Sequence, residues 1–140
     1  MPPTIHQHQG YAFSRKGHGT WSSILAVGGS AMKLYFSSLA EKSLSENEIH
    51  LAENGIEGLS MLDMLGHSPE LLFLNVFMPH MDGIEFLGAL SKRNYRGNLV
   101  LVEDANEGML NVANDYARAL GLNVRGVFYT AQLDAINWTT

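Results

Sequence analysis

The side chains of this chain that could do chemistry fall into a few short clusters. Glu103 and Asp104 follow the apolar run Leu99-Val100-Leu101-Val102, so two carboxylates stand at the end of what reads as a buried strand. His80 and Asp82 flank Met81, an imidazole and a carboxylate close enough to invite acid–base work. Gly28-Gly29-Ser30 lies between an apolar run and a helical pattern, where the free N–H groups of a helix N-terminus favour anions. The run from Gly28 to Lys33, however, fits neither the dinucleotide fingerprint nor the P-loop spacing. His6, His8 and His18 are metal-binding residue types, but a few imidazoles in a Gly- and Pro-bearing stretch make a weak site. His50 falls in a strand candidate and His67 in a turn, neither with a partner visible in the sequence. No nucleophile, base and orienting group come together. The expectation is no enzyme activity, no metal and no cofactor.

Regular elements must carry these clusters, and they begin after Trp21. Ser23 to Val27 is a short apolar run ended by Gly28-Gly29, a buried parallel strand by its pattern. Ser30 caps a helix with Met32, Leu34, Tyr35, Leu39 and Leu44 on one side. Ile49 to Ala52 is a shorter second strand, and Ile56, Leu59, Leu62, Met64 and Leu65 give the inner face of a second helix ended by Gly66. Leu71 to Val76 is the third strand, followed by a helix bearing Ile84, Phe86, Leu87 and Leu90. Leu99 to Val102 is the fourth strand; Leu110, Ala113, Tyr116, Ala117 and Leu120 then recur at helical spacing up to Gly121. Val124 to Tyr129 is the fifth strand, trailed by a stub from Ala131 to about Trp138. Strands alternating with helices imply an α/β fold with a parallel sheet covered on both faces. The natural candidate is a flavodoxin-like sheet of order 2-1-3-4-5 with a short last helix, whose functional crevice lies at the carboxyl ends of the strands.

The segment Leu71 to Gly83 carries the most specific signal. A buried strand runs through Asn75 into Met78-Pro79-His80-Met81-Asp82-Gly83, which closely resembles the loop after the third strand of two-component receiver domains. Ala52-Glu53-Asn54-Gly55 matches that family's turn after its second strand, and the resemblance covers about Ser22 to Asn137. The stretch Leu120 to Val127 resembles a variant found in receivers attached to EAL-type cyclic-di-GMP phosphodiesterases. In the family, two acids after the first strand and an aspartate four residues before the proline hold Mg²⁺. The aspartate takes the phosphoryl group, a Ser or Thr after the fourth strand donates to it, and a lysine after the fifth pairs with it. The matching positions here are Gly28, Gly29, Asn75, Glu103 and Thr130, so all five have changed. An amide is a poor nucleophile, and this set offers Mg²⁺ too little charge to displace its waters. The resemblance therefore implies a non-phosphorylatable pseudo-receiver. The family's aromatic switch position carries Val127; Tyr129, two residues on, lies on the same strand face. Glu103 has two readings: a standing mimic of phosphate, or a loop carboxylate pointing to solvent. The second is favoured because the lysine that would receive a mimic is missing.

Bulk composition limits the partners. The chain has 140 residues, 46% hydrophobic and 16% charged, which fits one globular domain. Its net charge is −5, and the nine Lys and Arg are scattered along the sequence, so no nucleic-acid partner is expected. There is no cysteine, which excludes disulfides and thiolate sites. No apolar run approaches bilayer-spanning length, and a cytoplasmic location is the default expectation. Residues 1–21 read as a flexible N-terminal extension and 22–140 as the receiver-like domain. The expected function is a regulatory protein–protein interaction module in a two-component or cyclic-di-GMP system. Its partner is another protein, an attached output domain or a second copy in a homodimer. Asn111, Asp115 and Arg118, at i, i+4 and i+7 of the fourth helix, together with Tyr129, form the interaction face the resemblance implies; a plain solvated helix face explains that stripe equally well. The alternative is a small-molecule or anion sensor using the vacated pocket.

Overall fold

A computed structural model describes residues 11–12, 23–42, 48–104 and 108–137. Five strands, β1 (Ser23–Val27), β2 (Glu48–Ala52), β3 (Leu71–Asn75), β4 (Asn98–Glu103) and β5 (Asn123–Tyr129), alternate with helices α1 (Ser30–Lys42), α2 (Gly55–Met64), α3 (Gly83–Lys92) and α4 (Met109–Ala119). The strands form one parallel sheet in the order β2-β1-β3-β4-β5, with a 3-10 helix, Thr130–Ala135, after β5. This is the expected flavodoxin-like architecture with a short final helix. Beyond it, Ile136–Asn137 pairs in parallel with Tyr11–Ala12, a two-residue strand inside the N-terminal stretch; residues 1–10 and 13–22 lie outside the described residues, and with them His6, His8 and His18.

Strand alternation splits the core into two clusters, one on each face of the sheet. Leu25, Val27, Leu72, Leu74, Leu99, Leu101 and Val127 meet Phe86, Leu87 and Leu90 of α3 and Leu110, Ala113 and Ala117 of α4, with α2 adding partly buried Leu59 and Leu62. Ile24, Ala26, Leu71, Phe73, Val100, Val102 and Phe128 meet Met32 and Phe36 of α1 and Leu133 and Ile136 beyond β5. The two faces are covered unequally, by three α-helices on one side and by α1 with a six-residue 3-10 helix on the other. The Phe36 ring meets Phe73 edge-on at 4.7 Å, which centres the thinner face on an aromatic pair.

Several helix faces differ from the sequence reading. Leu34 is 73% exposed and Phe36, one-half turn away, is buried in its place; Leu44 is outside the described residues. On α2, Ile56 and Met64 are exposed, while Gly55 and Gly58 are buried. The cause is close approach: a Cβ at Gly58 would stand 2.9 Å from Val27 Cγ1 and 3.1 Å from Phe86 Cε2, so the helix seats on its glycines rather than its largest side chains. That helix ends at Leu65, whose N–H reaches Met61 O, one residue before the expected Gly66. Tyr116 is more than one-third exposed at the edge of α4. Helix starts follow their side chains. Asn54 Oδ1 accepts from Glu57 N at 2.9 Å, and Asp82 Oδ1 accepts from Glu85 N at 2.8 Å, so Asp82 is the N-cap of α3.

Candidate functional site

The carboxyl edge of the sheet brings Gly28, Gly29, Asn75 and Asp104 together. Gly28 continues the β1 ladder through its N–H to Ala52 O, and both glycines then take positive φ, +101° and +87°. That region favours glycine, so the two residues are dictated by the turn as well as by space. A Cβ at Gly28 would meet Met78 Sδ at 2.5 Å, Met78 Cγ at 2.8 Å and Asn75 Cβ at 3.0 Å; one at Gly29 would meet Asn75 Nδ2 at 2.9 Å. The largely buried Met78 thioether thus fills the volume into which a side chain at position 28 would project.

Asn75, 1% exposed, uses both ends of its amide. Its Oδ1 accepts from Phe77 N at 3.1 Å, bracing the loop, and its Nδ2 donates towards Asp104 Oδ2 at 3.5 Å. A carboxylate at this place keeps the acceptor but loses the donor, and sets like charge against Asp104. The loop from Val76 to Gly83 closes tightly behind it. Gly83 N donates to Val76 O, and a Cβ at Gly83 would lie 2.6 Å from Val76 Cα. His80, at φ 72°, makes the left-handed turn, and Met81 lies over Gly55. His80 thus makes the turn and Asp82 the cap.

Glu103 corrects the sequence reading. It is the last residue of β4, paired in register with Tyr129, and it is 0% exposed rather than held out in solvent. Strand alternation aims it to the same face as Leu99 and Leu101. Val127, buried opposite Leu101, belongs to that core cluster. Tyr129 is half-buried, with its N–H donating to Gln132 Oε1 at 2.8 Å. Thr130 does not join the Asn75 group by any described contact; it opens the 3-10 helix and lines a groove against Ala31, Leu34 and Tyr35 of α1. On α4, Asn111 is half-buried and Asp115 exposed, while exposed Arg118 turns to Asn114 Oδ1 and to Val124 O; exposed Val112 escaped the sequence reading.

A cavity of about 270 Å³ opens beside Gly29, bounded by Ser30, Met32, Lys33, Leu51, Glu53 and Glu57. Lys33 Nζ lies 3.7 Å from Glu53 Oε2, and Glu57 Oε1 accepts from Glu53 N, so carboxylates outnumber ammonium groups there. Among the described residues no group of three or more His, Cys, Asp or Glu is placed to hold a metal ion, and no helix is long and apolar enough to cross a membrane. His50 and His67 do have a partner that sequence did not reveal: Glu48 lies 3.4 Å from one and 2.8 Å from the other.

The opposite, amino edge of the sheet is polar and closely bonded. Glu70 N donates to Ser23 Oγ, and Asn98 Nδ2 donates to Glu70 O. Asn98 Oδ1 accepts from Asn123 Nδ2 at 2.8 Å and from Arg125 Nη1 at 3.1 Å. Buried Tyr95 donates to Pro69 O at 2.8 Å; burial, with the Glu70 carboxylate second, raises its pKa well above the usual phenol value.

No protein-family model matches the chain. Solved structures do. The receiver domain of the Francisella response regulator 1452 matches with a TM-score of 0.58 at 14% identity, covering 78% of this chain and 83% of its own. Chemotaxis protein CheY4 of Vibrio cholerae matches with a TM-score of 0.58 at 19% identity, covering 81% of this chain and 92% of its own. CheY from Borrelia burgdorferi, solved with CheX, BeF3 and magnesium, matches with a TM-score of 0.60 at 18% identity, covering 83% of each chain. At such identities the likeness is one of fold, and the fold is that of response-regulator receiver domains.

Proposed function

We propose that this chain is a phosphorylation-independent pseudo-receiver, a non-catalytic regulatory module that acts by binding a protein partner or an attached output domain in two-component or cyclic-di-GMP signalling. One observation carries the reading. The two positions where a receiver needs metal-binding acids are glycines in left-handed backbone, with Met78 lying where the first side chain would go. A side chain at either position would be strained by the left-handed backbone, and at Gly28 it would also have to displace Met78. Asn75 adds to this, since its amide is engaged both as acceptor and as donor. The cavity beside Gly29, with two carboxylates to one ammonium, argues against the anion-sensor alternative. Nucleotide and inorganic-anion thermal-shift titrations are expected to be flat.

The direct test is Asn75→Asp incubated with acetyl phosphate and Mg²⁺ and read by intact mass. No phosphoryl incorporation is expected, because the other changed positions leave no cation cage and no ammonium. A covalent adduct mapped to residue 75 would sink the reading.

A further inference from the structure

The lysines and arginines that look dispersed along the sequence are gathered by the fold. The helices run antiparallel to the strands, so the carboxyl ends of α3 and α4 lie at the amino edge of the sheet. Lys92 and Arg93 end α3, Arg96 follows in the turn to β4, Arg118 is in the last turn of α4, and Arg125 is in the first half of β5. Five of the nine basic residues of the chain thus share one end of the molecule. The acids at this end, among the described residues, are Glu48 at the start of β2, Asp63, which holds Arg93 through two 2.9 Å bonds, Glu70 beside Tyr95, and Asp115 about one turn before Arg118. The other end carries Glu53, Glu57, Asp82, Glu85, Glu103 and Asp104. Among the described residues, acids therefore prevail at the carboxyl edge, where Lys33 is the base beside Glu53, while the bases gather at the amino edge.

Two of the basic side chains are not occupied elsewhere. Lys92 and Arg96 are exposed and make no hydrogen bond or ion pair among the described residues. The helix-end carbonyls do not require them, since backbone N–H groups of Arg93, Asn94 and Tyr95 close α3 and those of Leu120, Gly121 and Leu122 close α4. Arg118 is steadied by the neutral acceptors Asn114 Oδ1 and Val124 O, which fix its guanidinium without cancelling its charge. Between the two helix ends lies a cavity of about 200 Å³ lined by Asn94, Tyr95, Arg96, Leu120 and Leu122. Its lining is mainly polar, and Arg96 is the charged residue on its wall.

We infer that this amino-edge surface is the docking site for an acidic peptide segment of a protein partner, with Lys92, Arg96 and Arg118 receiving its carboxylates. The inference rests on the interaction-module reading and names the surface that reading leaves open. Nucleic acid fits less well, because Tyr95, the aromatic residue that lines the cavity, is buried and has no face to stack on a base. Charge complementarity of this kind governs encounter and salt dependence more than raw affinity.

The full chain, ¹⁵N-labelled, is titrated separately with hexaglutamate, hexalysine and oligothymidylate. Hexaglutamate is expected to shift the amides of Ser91–Arg96 and Arg118–Val124, with binding weakened roughly ten-fold when salt is raised from ~20 to ~200 mM. Arg96→Glu with Arg118→Glu, both at exposed positions, abolishes those shifts with the rest of the spectrum unchanged, while Lys33→Glu at the opposite end leaves them in place. Absence of shifts, shifts at other elements, or stronger binding of oligothymidylate overturns the inference. Acetyl-phosphate labelling of the same wild-type sample reports separately. A phosphoryl adduct would end the pseudo-receiver reading and leave the peptide result standing.

Discussion

The two ends of one sheet have been built to opposite specifications. At the carboxyl edge the backbone turns through two left-handed glycines, a methionine fills the space beside them, and one buried amide ties the loop to Asp104. At the amino edge, Ser23, Tyr95, Asn98, Asn123 and Arg125 knit loop carbonyls, strand ends and the β4–β5 pair with side-chain hydrogen bonds. The first edge is closed by volume and the second by hydrogen bonding. A packed void tolerates no added atom, whereas a polar lattice tolerates no lost partner. The end at which such folds place their sites is here packed around Gly28 and Asn75, with a cavity of about 270 Å³ left beside Gly29.

Adding atoms at the closed edge should have the largest effect. Gly28→Asp combines left-handed strain with a clash on Met78, and a loss of about 3–4 kcal/mol in urea unfolding is expected. Met78→Ala in the same chain should return part of that loss; no return would show that backbone strain alone closes the site. Removing a partner at the bonded edge comes next. Tyr95→Phe leaves Pro69 O without its 2.8 Å donor and should cost about 1–2 kcal/mol. The phenol's folded pKa lies above its unfolded value of about 10, so its contribution is complete below that pH and is lost as pH rises towards the folded pKa. The wild type should lose stability steeply in alkali, and Tyr95→Phe should lack that component.

Asn75→Asp is expected to be milder, about 1–2 kcal/mol at neutral pH, because it forfeits one weak donor and gains a nearby like charge. Burial and Asp104 raise the introduced carboxyl's pKa, so the variant matches wild type best below about pH 4 and falls behind as pH rises. A stability difference independent of pH would mean that Asp104 does not face residue 75. The smallest effect belongs to the exposed Asp63–Arg93 pair. Its hydrogen bond holds the Asp63 carboxyl below the ordinary value, so whatever the pair contributes is present at neutral pH and lost as pH falls through that depressed pKa. Arg93→Ala should remove this small acid dependence, and about 1 M salt should mask it.

Much of this was legible beforehand, for specific reasons. Strands such as Leu71–Asn75 announce themselves because a strand buried on both faces is a run of apolar residues, and the Met78–Gly83 loop because each residue has a fixed job as plug, turn or cap. Gly28, Gly29 and Asn75 were singled out by their places in that pattern, and the fold does bring them into contact. Thr130 illustrates the limit: one residue past β5, its direction depends on how the 3-10 helix departs, and it faces the α1 groove instead. Leu34 and Met64 illustrate another. Helical periodicity marks an apolar side but not how closely the helix seats, and α2 seats on Gly58.

The linear sequence by itself determined the number, type and order of the elements, because hydrophobic period and turn chemistry are local. It also determined that residue 75 carries an amide rather than a carboxylate, because that is a matter of residue type. Only the tertiary structure decided that Met78 fills the space beside Gly28, that Glu103 is enclosed, and that five of the nine lysines and arginines share one end. Those are statements about distances between segments far apart in the chain, and distances of that kind exist only once the sheet has closed and its helices have been laid against it.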